Sequence, residues 1–389
     1  MHRQRWQAAT GAAVAMLVAA VATGPLPAGA ADPAESGGFA EDVALVAAQT
    51  GWAPAATAAH LQVQGTLGEL ADELAGRFPD RYAGARLAAV PGGVSQIWFK
   101  GQVPPAAAER VVAAGIPVEL VGGRPESAAE LRDRAEAVAK YLATAYAEVA
   151  AAVRADGWVE AAVSGGPAAV PELPPALAAR TSVALAPGGV VKPEIVGGTW
   201  LEDGNVFECT GGFTVFDIWT GVTGLATAGH CTGIDEWDSP AAGVADVALT
   251  FRGEHLGVFG DVQWHTSADV EPDDFYATNG STRDVAAVQS WGGLTFGSWW
   301  CVYGRASNSR SCDDVYSTFA VTIALGNFIS SLIAMRHDNT VGGDSGGTWS
   351  WGNTAAGIHQ GDIWLPFRTR NVFSVAALLP LALGVAVRQ

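Results

Sequence analysis

The sequence predicts a chain of two unlike regions, a small α+β region followed by an all-β domain, and three observations carry that prediction. Up to about residue 190 Ala, Glu and Leu dominate, whereas from Ile195 onward Trp, Gly, Thr, Val and Phe take over and turn residues become frequent. In the second region the apolar runs 213–219, 245–252, 285–290 and 319–325 are short and bounded by Gly, Asn, Asp or Ser. That is the pattern of strands joined by turns in a sandwich or pair of barrels. The first region instead holds a long stretch with the period and the cap of a helix. A chain of 389 residues is also long for one domain.

Residues 1–31 have the make-up of a signal peptide. Basic His2, Arg3 and Arg5 precede the apolar stretch 12–22 and the small-residue site Ala28-Gly29-Ala30. The apolar stretch is well short of the roughly 20 residues that span a bilayer, so a secreted, extracellular product is expected rather than an anchored one.

Residues 32–194 form the α+β region. A helix is expected over 127–153, opened by a capping box of Ser127 and Glu130, with Leu131, Ala135, Val138, Leu142, Tyr146 and Val149 on one face. Its expected partners are strands at 95–99 and 116–121, which flank a helix at 105–114. From about 163 to 194 Pro, Gly, Ala and Val dominate, a composition that reads as an exposed linker. Exposed linkers are where precursors are cut. The all-β domain then runs from 195 to 389, and its last segment, 372–387, reads as a closing helix interrupted by Pro380.

Charge and cysteines narrow the partners. The net charge is −17, and the domain from residue 195 holds 8 Arg, no Lys and 20 Asp plus Glu, or −12. Such a surface repels nucleic acid and anionic membranes. The four cysteines, Cys209, Cys231, Cys301 and Cys312, all lie in this domain, an even number in a chain bound for an oxidising compartment. Four cysteines allow three pairings; Cys209 with Cys231 and Cys301 with Cys312 close short loops and are preferred. No pair has the close spacing of zinc ligands, so no metal or cofactor is expected.

Nucleophilic hydrolysis near neutral pH needs an activated nucleophile, a base to take its proton, and donors for the negative oxygen that develops. Ser345 sits in Val-Gly-Gly-Asp-Ser-Gly-Gly, where glycines allow a tight turn that aims the N–H groups of Gly343 and Ser345 at one spot, a candidate oxyanion hole. His230, in Thr-Ala-Gly-His-Cys, is the candidate base, pinned by its neighbour Cys231. A protonated His230 needs a carboxylate to hold its tautomer and stabilise its charge. Asp261, followed by an apolar strand, fits better than Asp269, Asp273 or Asp274 in their polar loop.

Together TAGHC around His230, GDVQW around Asp261 and GGDSGG around Ser345 resemble the trypsin-like family, the chain order His, Asp, Ser included. The spacings, 31 residues from His230 to Asp261 and 84 to Ser345, resemble its bacterial streptogrisin and α-lytic protease branch. Cys301 with Cys312 resembles it too. Ile195-Val196-Gly197-Gly198 resembles a mature N-terminus, and the region before it resembles that branch's pro regions. The resemblance implies a secreted serine endopeptidase with two antiparallel six-stranded β-barrels and a C-terminal helix. The triad would lie between the barrels, acting on polypeptide substrates as a monomer. The pro region would assist folding and inhibit the enzyme until cut away.

Two departures stand out. Asn339 occupies the place of a cysteine that forms a third disulfide in the streptogrisins. Val302 replaces an Arg that pairs with the Asp before the nucleophile, so Asp344 is expected to find another cation among Arg305, Arg310 and the freed amine of Ile195. The stretch His359-Gln360-Gly361 resembles the substrate-binding strand, and a His at this point resembles the glutamyl endopeptidases. Either His359 touches an acidic substrate side chain or it packs behind the pocket. Glu194 before Ile195 agrees with cleavage after Glu; Asp362 beside the pocket argues against it. The rival functions are a catalytically inactive binding protein on the same scaffold and an α/β-hydrolase esterase. The esterase is disfavoured because its acid and His follow the Ser.

Overall fold

The structure, a computed structural model, describes residues 37–170, 172–186, 191–192, 200–204, 206–238, 246–268, 271–278, 280–324, 326–366 and 368–389. The expected signal segment and the Glu194 to Gly198 junction lie outside these. Asp32 to Gln389 form one compact unit.

The α+β region begins with two helices that the sequence reading did not single out, Gly37–Thr50 and Pro54–Arg77. Proline at the first helical position starts the second, where its missing N–H costs nothing. Leu67, Leu70 and Leu74 of this helix pack onto a three-stranded sheet in the order Tyr82–Arg86, Ser95–Lys100, Val118–Arg124. The expected helix Pro105–Ala114 is present.

The capping box is also as read: Glu130 N–H donates to Ser127 Oγ at 3.2 Å, and Ser127 N–H to Glu130 Oε2 at 2.8 Å. The helix it opens, however, ends at Leu142, and Glu148–Val153 is a strand rather than a last helical turn. This strand is buried on both faces. A continuous apolar run of that length carries no period that separates strand from buried helix. Its neighbours decide, since it pairs with Val159–Ser164 on one side and with Ser309–Ala324 on the other. The stretch read as linker likewise holds a strand, Thr181–Leu185, parallel to Val159–Ser164.

In the all-β domain six strands, Trp299–Gly304, Ser309–Ala324, Asn327–Met335, Thr348–Trp351, Thr354–Leu365 and Arg368–Val375, pair in a ring. Before them, among the described residues, strands pair as two sheets. One holds Thr250–Gly257, Gly260–Thr266, Thr223–Thr227, Thr214–Asp217 and Val385–Val387. The other holds Val247–Ala248, Glu236–Asp238, Trp200–Asp203 and Val206–Thr210.

The expected closing helix over 372–387 shrinks to one turn, Leu379–Ala382. Val372 to Val375 belong to a strand, where they are buried, and Gly384 at φ +71° turns the chain back into the last strand. The result is a mostly β, chymotrypsin-like fold. Among the described residues no helix is long and apolar enough to cross a membrane. The two regions share a core: Phe39, Val43, Val46 and Leu61 pack with Trp300, Val302, Trp349 and Phe373.

Candidate active site

Three chain segments converge on His230. It lies in the turn after strand Thr223–Thr227, which pairs with Gly260–Thr266, the strand that carries Asp261. Gly229 makes the approach feasible, because a Cβ there would stand 2.7 Å from Asp261 Oδ1. His230 N–H donates to Asp261 Oδ1 at 2.9 Å, and Nδ1–H to Oδ2 at 2.6 Å. Asp261 is buried, and Ser374 Oγ accepts its backbone N–H at 2.9 Å. With Nδ1 carrying the proton, the lone pair on Nε2 faces the Ser345 hydroxyl, 3.0 Å away. The arrangement can take a proton from that hydroxyl and hold the resulting imidazolium.

The turn around Ser345 is tied to the same place. Gly343 adopts φ +107° and Gly346 φ +88°, both in the region that favours glycine. Thr210 Oγ1 donates to Gly343 O at 3.2 Å, and Thr210 N–H to Ser345 O at 2.7 Å. A Cβ on Gly346 would collide with Thr210 O. Thr210 follows Cys209, and Cys209 is bridged to Cys231, which follows His230. One disulfide therefore couples the base to the residue that pins the nucleophile turn. The second expected bridge, Cys301–Cys312, is also present.

The expected cation for Asp344 is corrected. Among the described residues no ion pair reaches this buried carboxylate; it accepts the backbone N–H groups of Ser307 at 3.0 Å and Val341 at 3.1 Å. Burial pushes its pKa up and those N–H groups pull it down. Arg310 goes instead to Asp42 of the first helix at 2.6 Å, and Arg305 lies over the Trp200 ring and bonds Asn308. Backbone dipoles take over where Val302 leaves no charge.

Of the expected substrate-binding residues, Gln360 presents its carbonyl to the Ser345 hydroxyl at 3.4 Å. Gly361 takes φ +138° at an irregularity in the strand pairing. His359 is fully buried: Nε2 lies 3.0 Å from Thr340 Oγ1, and Trp349 Nε1–H donates to Nδ1 at 3.3 Å. Of its two readings, packing behind the pocket describes this arrangement.

Sequence reasoning missed Asn371. Fully buried, it accepts Asn339 N–H at 2.8 Å, donates to Thr340 Oγ1 at 2.6 Å, and donates to Asp362. It thus fastens the loop before the nucleophile at the place where a third disulfide was expected and Asn339 stands. The signal in the sequence was an amide inside the otherwise apolar run Asn371-Val372-Phe373.

No family model matches the chain. Serine protease 1 of Streptomyces fradiae is similar to it, 27% identical over 371 residues that cover 92% of each protein. Among solved structures, Thermobifida fusca protease A is 27% identical, covering 50% of this chain and 97% of its own, with a TM-score of 0.39. A chymotrypsin of Cellulomonas bogoriensis is 21% identical, covering 50% and 98%, with a TM-score of 0.39. Motifs in the order His, Asp, Ser and a likeness that runs the length of a serine protease agree with each other: this chain belongs to the trypsin-like, chymotrypsin-fold serine proteases, in their bacterial branch.

Proposed function

We propose that the chain is the precursor of a secreted serine endopeptidase, with Ser345 as nucleophile, His230 as general base and acid, and Asp261 as the group that orients the imidazole. Ser345 Oγ attacks the peptide carbonyl carbon while its proton passes to Nε2 of His230. The oxyanion is taken by the N–H groups of Gly343 and Ser345. Nε2 then hands the proton to the leaving amine, and water repeats the sequence on the acyl-enzyme. The observation that carries this reading is the position of one imidazole, 2.6 Å from Asp261 and 3.0 Å from Ser345.

The chain's own first half supports the precursor reading. Val191 and Lys192 pair antiparallel with Ile363 and Asp362, alongside the strand that holds Gln360 and Gly361. The segment just before the expected cut thus lies along the edge a substrate would use, and Ser345 is fully buried. We place the domains as signal segment 1–31, pro region 32–194 and protease 195–389. Release after Glu194 by the enzyme itself implies a preference for Glu before the cut.

The test is hydrolysis of peptides that differ only at the residue before the scissile bond, by the wild type and by Ser345→Ala. Wild type is expected to cut the Glu peptide at least ten times faster than its Gln counterpart. Ser345→Ala is expected to lose nearly all activity. Preference for Leu, Phe or Arg would remove the specificity, and undiminished activity in Ser345→Ala would remove the mechanism.

A further inference from the structure

Outside the catalytic cleft, the most constrained charged group in the described chain is Asp42, on the helix Gly37–Thr50. Its carboxylate is fully buried and receives five hydrogen bonds. Arg310 donates from Nε at 2.6 Å and from Nη2 at 3.0 Å. Arg283 donates from Nη1 at 3.0 Å and from Nη2 at 3.3 Å, and Gly352 N–H adds a fifth at 2.8 Å. The donors all come from the protease domain; the acceptor comes from the pro region.

The arginines are held in readiness. Their side chains are 2% and 5% exposed, and Arg310 is braced by Ser350 Oγ at 2.9 Å. Arg310 Nη1 and Arg283 Nε are buried without an acceptor. Such a dication is costly to bury without an anion, so removing the carboxylate while leaving the arginines is strongly unfavourable. Around them lies an apolar seat: Phe39 meets Trp351 edge-on at 5.6 Å, and Val43 and Val46 enter the core beside Trp300 and Val302. Residues 39, 42, 43 and 46 share one face of a helix.

We propose that Arg283 and Arg310 form a second peptide-binding site on the protease domain, specific for an amphipathic helix with an aromatic residue, a carboxylate three residues later and aliphatic residues at the fourth and seventh. The helix 37–50 fills it in the precursor. After that helix leaves, the site takes a helix of the same chemistry on an acidic protein partner. The proposal goes beyond catalysis and does not need the chain to cut itself.

The test uses the full chain in the Ser345→Ala background, so that peptide is not consumed, with a fluorescent peptide of residues 37–50 as probe. Peptide is expected not to bind the chain with Asp42 intact, to bind saturably when Asp42→Lys evicts the chain's own helix, and to bind at least tenfold more weakly when the peptide carries Asn for Asp42. A folded Asp42→Lys chain that binds no peptide, or binds both peptides equally, overturns the proposal. Should Asp42→Lys fail to fold, hydrogen exchange in Asp42→Asn decides. Amides 37–50 are expected to exchange at least tenfold faster with those of 82–124 unchanged, and unaltered exchange in 37–50 overturns it. N-terminal sequencing of the wild-type product reports self-cleavage separately.

Discussion

Two buried imidazoles set the acid limit of this chain. Burial, and after it the charge of His230, pushes His359 down to about 3, and burial pushes His265 down to about 4. Nδ1 of His265 is buried without a partner, which is tolerable only in a neutral ring. An unfolded histidine binds its proton near pH 6.5, so below that pH the unfolded chain holds protons that the folded chain refuses. Stability is therefore full above about pH 7 and falls as pH drops from about 6.5. His359 alone accounts for on the order of 3 kcal/mol by pH 4. Denaturant midpoints measured from pH 7 to pH 4 are expected to fall steeply in the wild type and less steeply in His265→Gln; equal slopes would refute the assignment.

At this scale the triad was legible, because each of its residues sits in a short motif whose neighbours are themselves needed: Gly229 for the approach to Asp261, Gly343 and Gly346 for the turn. Asn371 was not, since its role arises only when the loop at 339–340 folds against its strand. Nor was the answer for Asp344, which lies in backbone N–H groups rather than in any side chain that could be searched for.

Among elements, those with their own local signal were read correctly and those set by neighbours were not. The helix at 128–142 announces itself through Ser127 and Glu130. The strand 148–153 is a strand because Ala320 to Ile323 lie beside it, and the last segment bends back because Gly384 turns it. The two disulfides divide along the same line. Cys301 and Cys312 face each other across strands already paired, whereas Cys209–Cys231 joins the His230 turn to the strand behind Ser345. Replacing Cys209 and Cys231 by Ala is expected to cost on the order of 3 kcal/mol, from the loop it closes, and to depress kcat as well. Replacing Cys301 and Cys312 is expected to lower stability with less effect on kcat. Denaturant titration with steady-state kinetics on both double variants distinguishes them, and an unchanged kcat in the first would contradict the coupling of His230 to the nucleophile turn.

Over the whole molecule, composition alone divided the chain near residue 190, yet the halves are not independent bodies. Strands from the first half extend the sheet of the second, and helix 37–50 enters its core. Periodicity says which face of an element is apolar and nothing about which element covers it, so this sharing was beyond the sequence. What the molecule does rests on one imidazole standing between a carboxylate and a hydroxyl. The direct test is covalent labelling of the processed, secreted protein with a sulfonyl fluoride, the adduct located by mass spectrometry of its peptides. A single adduct on Ser345, lost in His230→Ala, is the expected result; a correctly processed protein that takes no label, or takes it on another serine, would contradict the account.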